Sequence, residues 1–422
     1  MGECSMSTFH IIGSQPTEGR IPVHGAKNAV LPIMAATLLV SEPCILHSVP
    51  YELEDVRLMI RILESLGVKI ERQGDDLYID ASTINTLEAP YDLVSGMRAS
   101  FVILGPLIAR MREAKVAMPG GCAIGIRPVD LHLKGLQALG AELKLEHGYV
   151  YAQASKLQGK RIYLDFPSVG ATQNIMMAAT LAEGTTVIEN AAAEPEISDL
   201  ATFLNSCGAK VHGAGTNVIR VEGVVALTGC QHEIIPDRIE AGTFLVAAAV
   251  TRGDVLVENA VSNHLKPVIA KLRESGHKVT EYAEGIHIVG GHSILPTHIT
   301  TSPHPGFPTD MQAQFMALLT LSLGNSTITE TVFENRFMHV NEFIRMGANI
   351  RIDGRIAYIQ GVKRLTGAPV RATDLRAGSA LVLAGMAAEG ETIVHDTFHI
   401  DRGYMQLEQK LKGIGVQITR YD

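Results

Sequence analysis

Six times along the chain an amphipathic helical pattern ends on a glycine and gives way to a short alternating apolar run. The copies are Leu63-Glu-Ser-Leu-Gly67-Val-Lys-Ile, Leu136-Gln-Ala-Leu-Gly140-Ala-Glu-Leu, Leu204-Asn-Ser-Cys-Gly208-Ala-Lys-Val, Leu272-Arg-Glu-Ser-Gly276-His-Lys-Val, Phe343-Ile-Arg-Met-Gly347-Ala-Asn-Ile and Leu411-Lys-Gly-Ile-Gly415-Val-Gln-Ile, their glycines 68 to 73 residues apart. A glycine placed just past the last periodic residue reads as a left-handed helix stop, and the alternation beyond it reads as a strand. Six copies of one supersecondary unit leave few folds open. Each copy is preceded by a second helical stretch that is apolar on nearly all faces: Lys27 to Leu39, Arg98 to Arg110, Thr172 to Ala182, Glu240 to Thr251, Asp310 to Leu323 and Arg376 to Ala388. Helices of that kind are buried. Short strands follow them, as in Thr185 to Asn190, Asp254 to Asn259 and Glu391 to Asp396. At 422 residues the chain exceeds what one hydrophobic core serves, so six units divide as three plus three. The cut falls near residue 235, with His232 to Ile235 read as the strand that opens the fourth copy.

Composition enters as a set of exclusions. Hydrophobic residues make up 46% and charged residues 19%, which rules out a disordered chain, and a net charge of −8 argues against general nucleic-acid binding. The longest apolar run, Ala29 to Val40, contains Pro32 and is too short to span a membrane, and residues 1–10 carry no signal-peptide pattern. A cytoplasmic location is expected. Cys4, Cys44, Cys122, Cys207 and Cys230 form no CxxC pair, and the histidines show no metal-ligand spacing, so neither a disulfide framework nor a metal site is expected. P-loop, zinc-protease, nucleophile-elbow and dinucleotide motifs are absent from the sequence. No cofactor is implied, and nothing in the pattern demands an assembly beyond a monomer.

The buried helices break a local rule at their starts. Helix N-termini favour acidic residues, yet Lys27, Arg98 and Arg376 stand at or near three starts and Arg238 lies just before a fourth. Cations added to free N–H groups suit a phosphate or carboxylate. The stretch from Met118 to Asp130 places Cys122 and Arg127 among Gly120, Gly121 and Gly125. It reads either as a loop around a buried structural thiol or as a mobile active-site loop. Thr309 and Gln312 have capping-box spacing, which puts Asp310 in a first helical turn as a stabilising carboxylate or a general base. Asp401 and Arg402 read as an ion pair or an anion clamp.

Together these stretches resemble the enolpyruvyl transferase family, in its branch acting on UDP-N-acetylglucosamine, from about His10 to Arg420. The resemblance rests on Gly25-Ala-Lys-Asn28, Met97-Arg98-Ala-Ser100, Pro119 through Asp130, Phe166-Pro-Ser-Val-Gly-Ala-Thr172, Ile235 to Gly242, Phe307 to Gln314, Phe333-Glu-Asn-Arg-Phe-Met-His339 and His399-Ile-Asp-Arg-Gly403. It implies an α/β fold of two domains, each of three βαβαββ units around a pseudo-threefold axis, with the site in a cleft. Residues 25–235 would form the first domain, and 1–24 with 236–422 the second. It further implies enolpyruvyl transfer from phosphoenolpyruvate to the 3′-hydroxyl of UDP-N-acetylglucosamine by addition and elimination, the first committed step of peptidoglycan biosynthesis.

By the same resemblance, Lys27, Arg127 and Arg402 hold phosphoenolpyruvate, Arg98 and Arg376 complete the positive cleft, and Asp310 takes the hydroxyl proton. Asn28 orients the sugar, and Cys122 assists protonation and is the site of alkylation by fosfomycin. Pro128, Val129, Asp130, Ser168, Val169, Gly170, Val332 and Phe333 line the nucleotide-sugar pocket, and the Cys122 loop closes as a lid. One departure is Phe166, where some members carry a diphosphate-binding lysine. The rival readings are a shikimate-pathway type of enolpyruvyl transferase, disfavoured by Gly25-Ala-Lys-Asn28 and Cys122, and a non-catalytic binder of UDP-N-acetylglucosamine.

Overall fold

The computed structural model describes residues 7–120 and 129–422. Their six sheets share one plan, each of four strands. A short first strand pairs parallel with a second, which pairs antiparallel with a third, which pairs antiparallel with a fourth. In one sheet, for example, His298–Thr300 runs parallel to Asn325–Thr329, followed by Ile356–Gln360 and Asn349–Asp353. The repeat read from the glycines is therefore a structural repeat. Gly67, Gly140, Gly208, Gly276, Gly347 and Gly415 all adopt φ between +92° and +103°, the left-handed stop that a Cβ would strain.

The described residues separate into two compact units, residues 25–120 with 129–235 and residues 7–24 with 236–422. The second contains three sheets and the helices Arg238–Thr251, Gln312–Leu319 and Leu375–Ala387, which pack on one another. Every residue from Ile239 to Thr251 is buried, as an all-round apolar helix requires. The other unit has three sheets of the same plan and the helices Lys27–Ala36, Leu104–Met111 and Val169–Ala179. A 3-10 turn, Arg98–Ile103, leads into the second of these.

Two sheets are completed by strands from far along the chain. Thr8–Ile12 lies between Glu391–His395 and Gln417–Tyr421, and Glu18–Pro22 pairs with Asp254–Glu258. The stretch expected to open the fourth copy does something else: Gln231–Glu233 runs parallel to the strand Cys44–His47 and completes the first sheet. An apolar alternation marks a strand but does not name its partner.

Helix starts also differ by two or three residues from the apolar pattern. The third buried helix begins at Val169 because Ser168 caps it, its hydroxyl accepting from the Ala171 N–H, and the fourth at Arg238 because Asp237 caps it. Asp310 and Thr309 do not begin an α-helix. They belong to the 3-10 turn Thr309–Met311, with Pro308 at the cap position, so the expected capping box is not formed. Thr309 Oγ1 instead donates to Glu330 Oε2 at 2.8 Å.

Candidate active site

Acidic residues stand at three of the four cation-bearing helix starts. Asp374 caps the last buried helix, accepting from the N–H groups of Arg376 at 2.8 Å and Ala377 at 3.0 Å. Asp237 does the same for the Arg238 helix. Lys27, first residue of a helix with no side-chain cap, is buried and donates from Nζ to Asp55 Oδ2 at 3.0 Å. An anion at that helix start would share Lys27 with a fixed carboxylate.

In the unit holding residues 236–422, Asp310 meets two guanidinium groups, that of the expected Arg376 and that of Arg336. Arg336 Nη2 donates to its Oδ1 at 2.8 Å, and Arg376 donates to its Oδ2 from Nε at 3.3 Å and Nη2 at 3.2 Å. Both guanidinium groups are buried while the carboxylate is 28% exposed, so the acceptor faces outward from a positive floor.

Arg336 is itself oriented: Nη1 donates to Thr309 Oγ1 at 2.9 Å, and its guanidinium lies over the Phe333 ring at 5.3 Å. Glu330, fully buried, ties the local backbone together by accepting at Oε1 from the N–H groups of Val332 at 2.8 Å and Phe333 at 3.1 Å. Arg376 lies over Tyr404 at 5.4 Å, whose hydroxyl meets Thr243 at 2.9 Å, Ser379 at 3.1 Å and Gln314 at 3.3 Å. Burial alone would make Arg376 easier to deprotonate, but Tyr404, Asp310 and Asp237 outweigh it and hold the cation more firmly charged than usual. Among the described residues its Nη1 finds no hydrogen-bond partner.

Arg402 follows the short helix Phe398–Asp401, half-buried. The Asp401 carboxylate accepts from Arg420, Nη1 at 2.9 Å and Nη2 at 2.5 Å.

In the unit of residues 25–235, His132 joins several expected positions. Its helix begins at the exposed Asp130, directly after the buried Val129. Asn174 Oδ1 accepts from the Gly105 N–H, so its Nδ2 donates to Phe101 O and to His132 Nδ1 at 3.0 Å. That fixes a neutral imidazole with its proton on Nε2. Burial, reinforced by the charge of Arg98, lowers the His132 pKa to about 3. The ring lies against Gly170, where an added Cβ would stand 2.9 Å from Cε1 and 3.1 Å from Nε2. Ser168, Val169 and Gly170 form the half-exposed start of their helix, Asn28 is half-buried beside Lys27, and Phe166 is exposed. Cys122, Arg127 and Pro128, with the loop expected to act as a lid, lie outside the described residues.

Arg336, Glu330, Tyr404 and His132 carry the geometry of these clusters, and none was singled out from the sequence. Arg336 stood within a motif of the resemblance, and its spacing from Asp310 gave no hint of contact. Tyr404 is a lone aromatic, with nothing local to mark it as a buried hydrogen-bonding hub.

Comparison with known proteins identifies the family and the fold. The family model for EPSP synthase (3-phosphoshikimate 1-carboxyvinyltransferase) matches residues 11–411. UDP-N-acetylglucosamine 1-carboxyvinyltransferase 1 of Caldanaerobacter subterraneus is 58% identical over 98% of this chain and 99% of its own length. UDP-N-acetylglucosamine 1-carboxyvinyltransferase 2 of Carboxydothermus hydrogenoformans is 55% identical over 98% and 99%. The fold is similar to that of the enolpyruvyl transferase NikO from Streptomyces tendae, with a TM-score of 0.89 at 23% identity, covering 98% of this chain and 99% of the other.

Proposed function

Because this chain belongs to the EPSP synthase family of carboxyvinyltransferases, we propose the reaction that its closest functional motifs fit. The chain transfers the enolpyruvyl group of phosphoenolpyruvate to the 3′-hydroxyl of UDP-N-acetylglucosamine and releases phosphate. This is the first committed step of peptidoglycan biosynthesis. The observation that carries the reading is the near end-to-end identity to carboxyvinyltransferases acting on UDP-N-acetylglucosamine. The shikimate-type alternative shares the fold but not that level of identity.

In the reading we propose, an oxygen of Asp310 accepts the 3′-hydroxyl proton as the hydroxyl oxygen bonds to C2 of phosphoenolpyruvate, and a proton is added at C3. The resulting tetrahedral ketal then loses a proton from C3 and expels phosphate, restoring the double bond. The pairing of Asp310 with Arg336 and Arg376 supports this role, because it holds the carboxylate oriented in one geometry. Lys27, Arg98, Arg127, Arg376 and Arg402 are assigned to the anionic groups of the substrates, where fixed cations stabilise charge as it shifts to the leaving phosphate. The Nη1 of Arg376, which has no hydrogen-bond partner among the described residues, supports its share of that assignment. Asn28, Pro128, Val129, Asp130, Ser168, Val169, Gly170, Val332 and Phe333 are assigned to the nucleotide sugar, and Cys122 to proton transfer at C3. Residues 25–235 and residues 1–24 with 236–422 are taken as the two domains.

The substrates are small molecules, and no helix among the described residues is long and apolar enough to cross a membrane. We infer that the enzyme works as a cytoplasmic monomer without a cofactor, and sedimentation of the purified chain checks its oligomeric state. Phosphate release from phosphoenolpyruvate should depend strictly on UDP-N-acetylglucosamine and persist in a metal chelator. Release with shikimate 3-phosphate as acceptor would favour the shikimate type, and no release with either acceptor would leave a binding protein.

A further inference from the structure

Cys44, Cys207 and Cys230 are scattered along the sequence, yet their sulfurs all lie within 4.8 Å of one another. The Sγ atoms of Cys207 and Cys230 are 3.1 Å apart, and all three residues are free thiols. Cys44 and Cys207 are fully buried and Cys230 is partly so.

The backbone holds each of them in place. Cys44 opens a central strand and is in register with Ile79. Cys207 ends the helix Pro195–Ser206, its N–H donating to Phe203 O at 3.0 Å and its carbonyl accepting from the Thr228 N–H at 2.9 Å. Cys230 accepts at its carbonyl from the Ile45 N–H at 2.9 Å. The three sulfurs therefore converge from a sheet, a helix end and the segment that completes the sheet.

We propose that Cys44, Cys207 and Cys230 form a buried three-sulfur site for a soft, thiophilic monovalent cation of the Cu(I) type. Sulfurs bound about 2.3 Å from a common centre stand roughly 4 Å apart, a spacing this cluster reaches by small side-chain rotations. Among the described residues no fourth histidine, cysteine or carboxylate joins the group. Structural zinc takes four ligands, whereas three thiolates suffice for Cu(I). Each sulfur that binds gives up its thiol proton to solvent, and the ion then ties the helix end to two strands that are remote in sequence.

The test uses the full chain with Cys4→Ser and Cys122→Ser, so that the three clustered thiols are the only ones. Under anaerobic conditions, Cu(I) delivered from a coloured chelator should transfer to one ion per chain, and X-ray absorption should show three sulfurs around it. Loading should raise the melting temperature. Cys44→Ser, Cys207→Ser and Cys230→Ser, each added singly and checked for folding by circular dichroism, should weaken retention at least tenfold. Unchanged retention in a folded single variant overturns the site, as does a two-sulfur or nitrogen-containing shell in the unsubstituted cluster. That shell is read without any cluster variant, so a misfolded substitution does not shelter the proposal. Tighter retention of Zn2+ than of Cu(I) overturns the choice of ion. Enzymatic turnover is not the readout, so failure here is separate from failure of the transferase reading.

Discussion

Asp310→Asn separates a base from a counter-ion, because the structure predicts different sizes for the two effects. The amide keeps the shape and one carbonyl oxygen. Turned towards Arg376, that oxygen preserves the more deeply buried contact, and the NH2 group then faces Arg336, whose Nη1 still reaches Thr309. One charge-assisted hydrogen bond is lost, about 1.5–3 kcal/mol. Two buried cations also lose a shared counter-charge, for which breaking a buried pair sets an upper bound of about 3–5 kcal/mol. With Asp310 partly exposed, we expect about 2–4 kcal/mol in total, roughly 4–16 °C in the melting midpoint. Turnover should fall much further, about 10²–10⁴-fold, as loss of a general base requires. Single-turnover phosphate release measures the second effect, and thermal unfolding with calorimetric titration of UDP-N-acetylglucosamine measures the first. A variant that unfolds earlier but turns over within threefold of the parent would make Asp310 a counter-ion only. A variant unchanged in both would mean that the two guanidinium contacts contribute little.

Other expectations follow from single groups. The pKa of His132 is lowered on folding, so the unfolded chain binds the extra proton; stability should be intact above pH 6.5 and fall between there and about pH 3. In His132→Gln the acid limb should be flatter by one proton, about 1.4 kcal/mol per pH unit, and an identical slope in denaturation at pH 4–6 would count against a buried neutral ring. Gly170→Ala drives a methyl into that ring and should cost about 1–3 kcal/mol in unfolding experiments while weakening UDP-N-acetylglucosamine binding, since ring or helix start must shift. Cys122→Ser should abolish covalent labelling and inhibition by fosfomycin, as read by mass spectrometry; alkylation that persists would assign the reactive thiol elsewhere.

Much of the fold was legible because the rules behind it are local. A glycine that stops a helix and an apolar face that demands burial are both set within a turn or two of chain. Lys27, Arg98 and Arg376 stood out for the same reason, as breaches of a local charge rule. The acidic residues at those starts were only half legible: Asp237 and Asp374 lie one and two residues before Arg238 and Arg376, whereas Asp55 reaches Lys27 from another helix. The reading of Thr309 as a cap failed because its hydroxyl oxygen accepts from Arg336 in place of a helix N–H, while its proton goes to Glu330, brought close by the sheet.

The amino-acid sequence alone thus determined six units, their buried helices and the family to which their motifs point, since each depends on short-range periodicity or on residue identity. Tertiary structure decided the partners. Asp310 meets Arg336 across 26 residues and Arg376 across 66. Gln231–Glu233 completes a sheet begun at Cys44, and three unremarkable cysteines become one cluster. Those contacts exist because strands pair and buried helices pack across long loops, and the spacing of residues along a chain carries no record of which ends will meet.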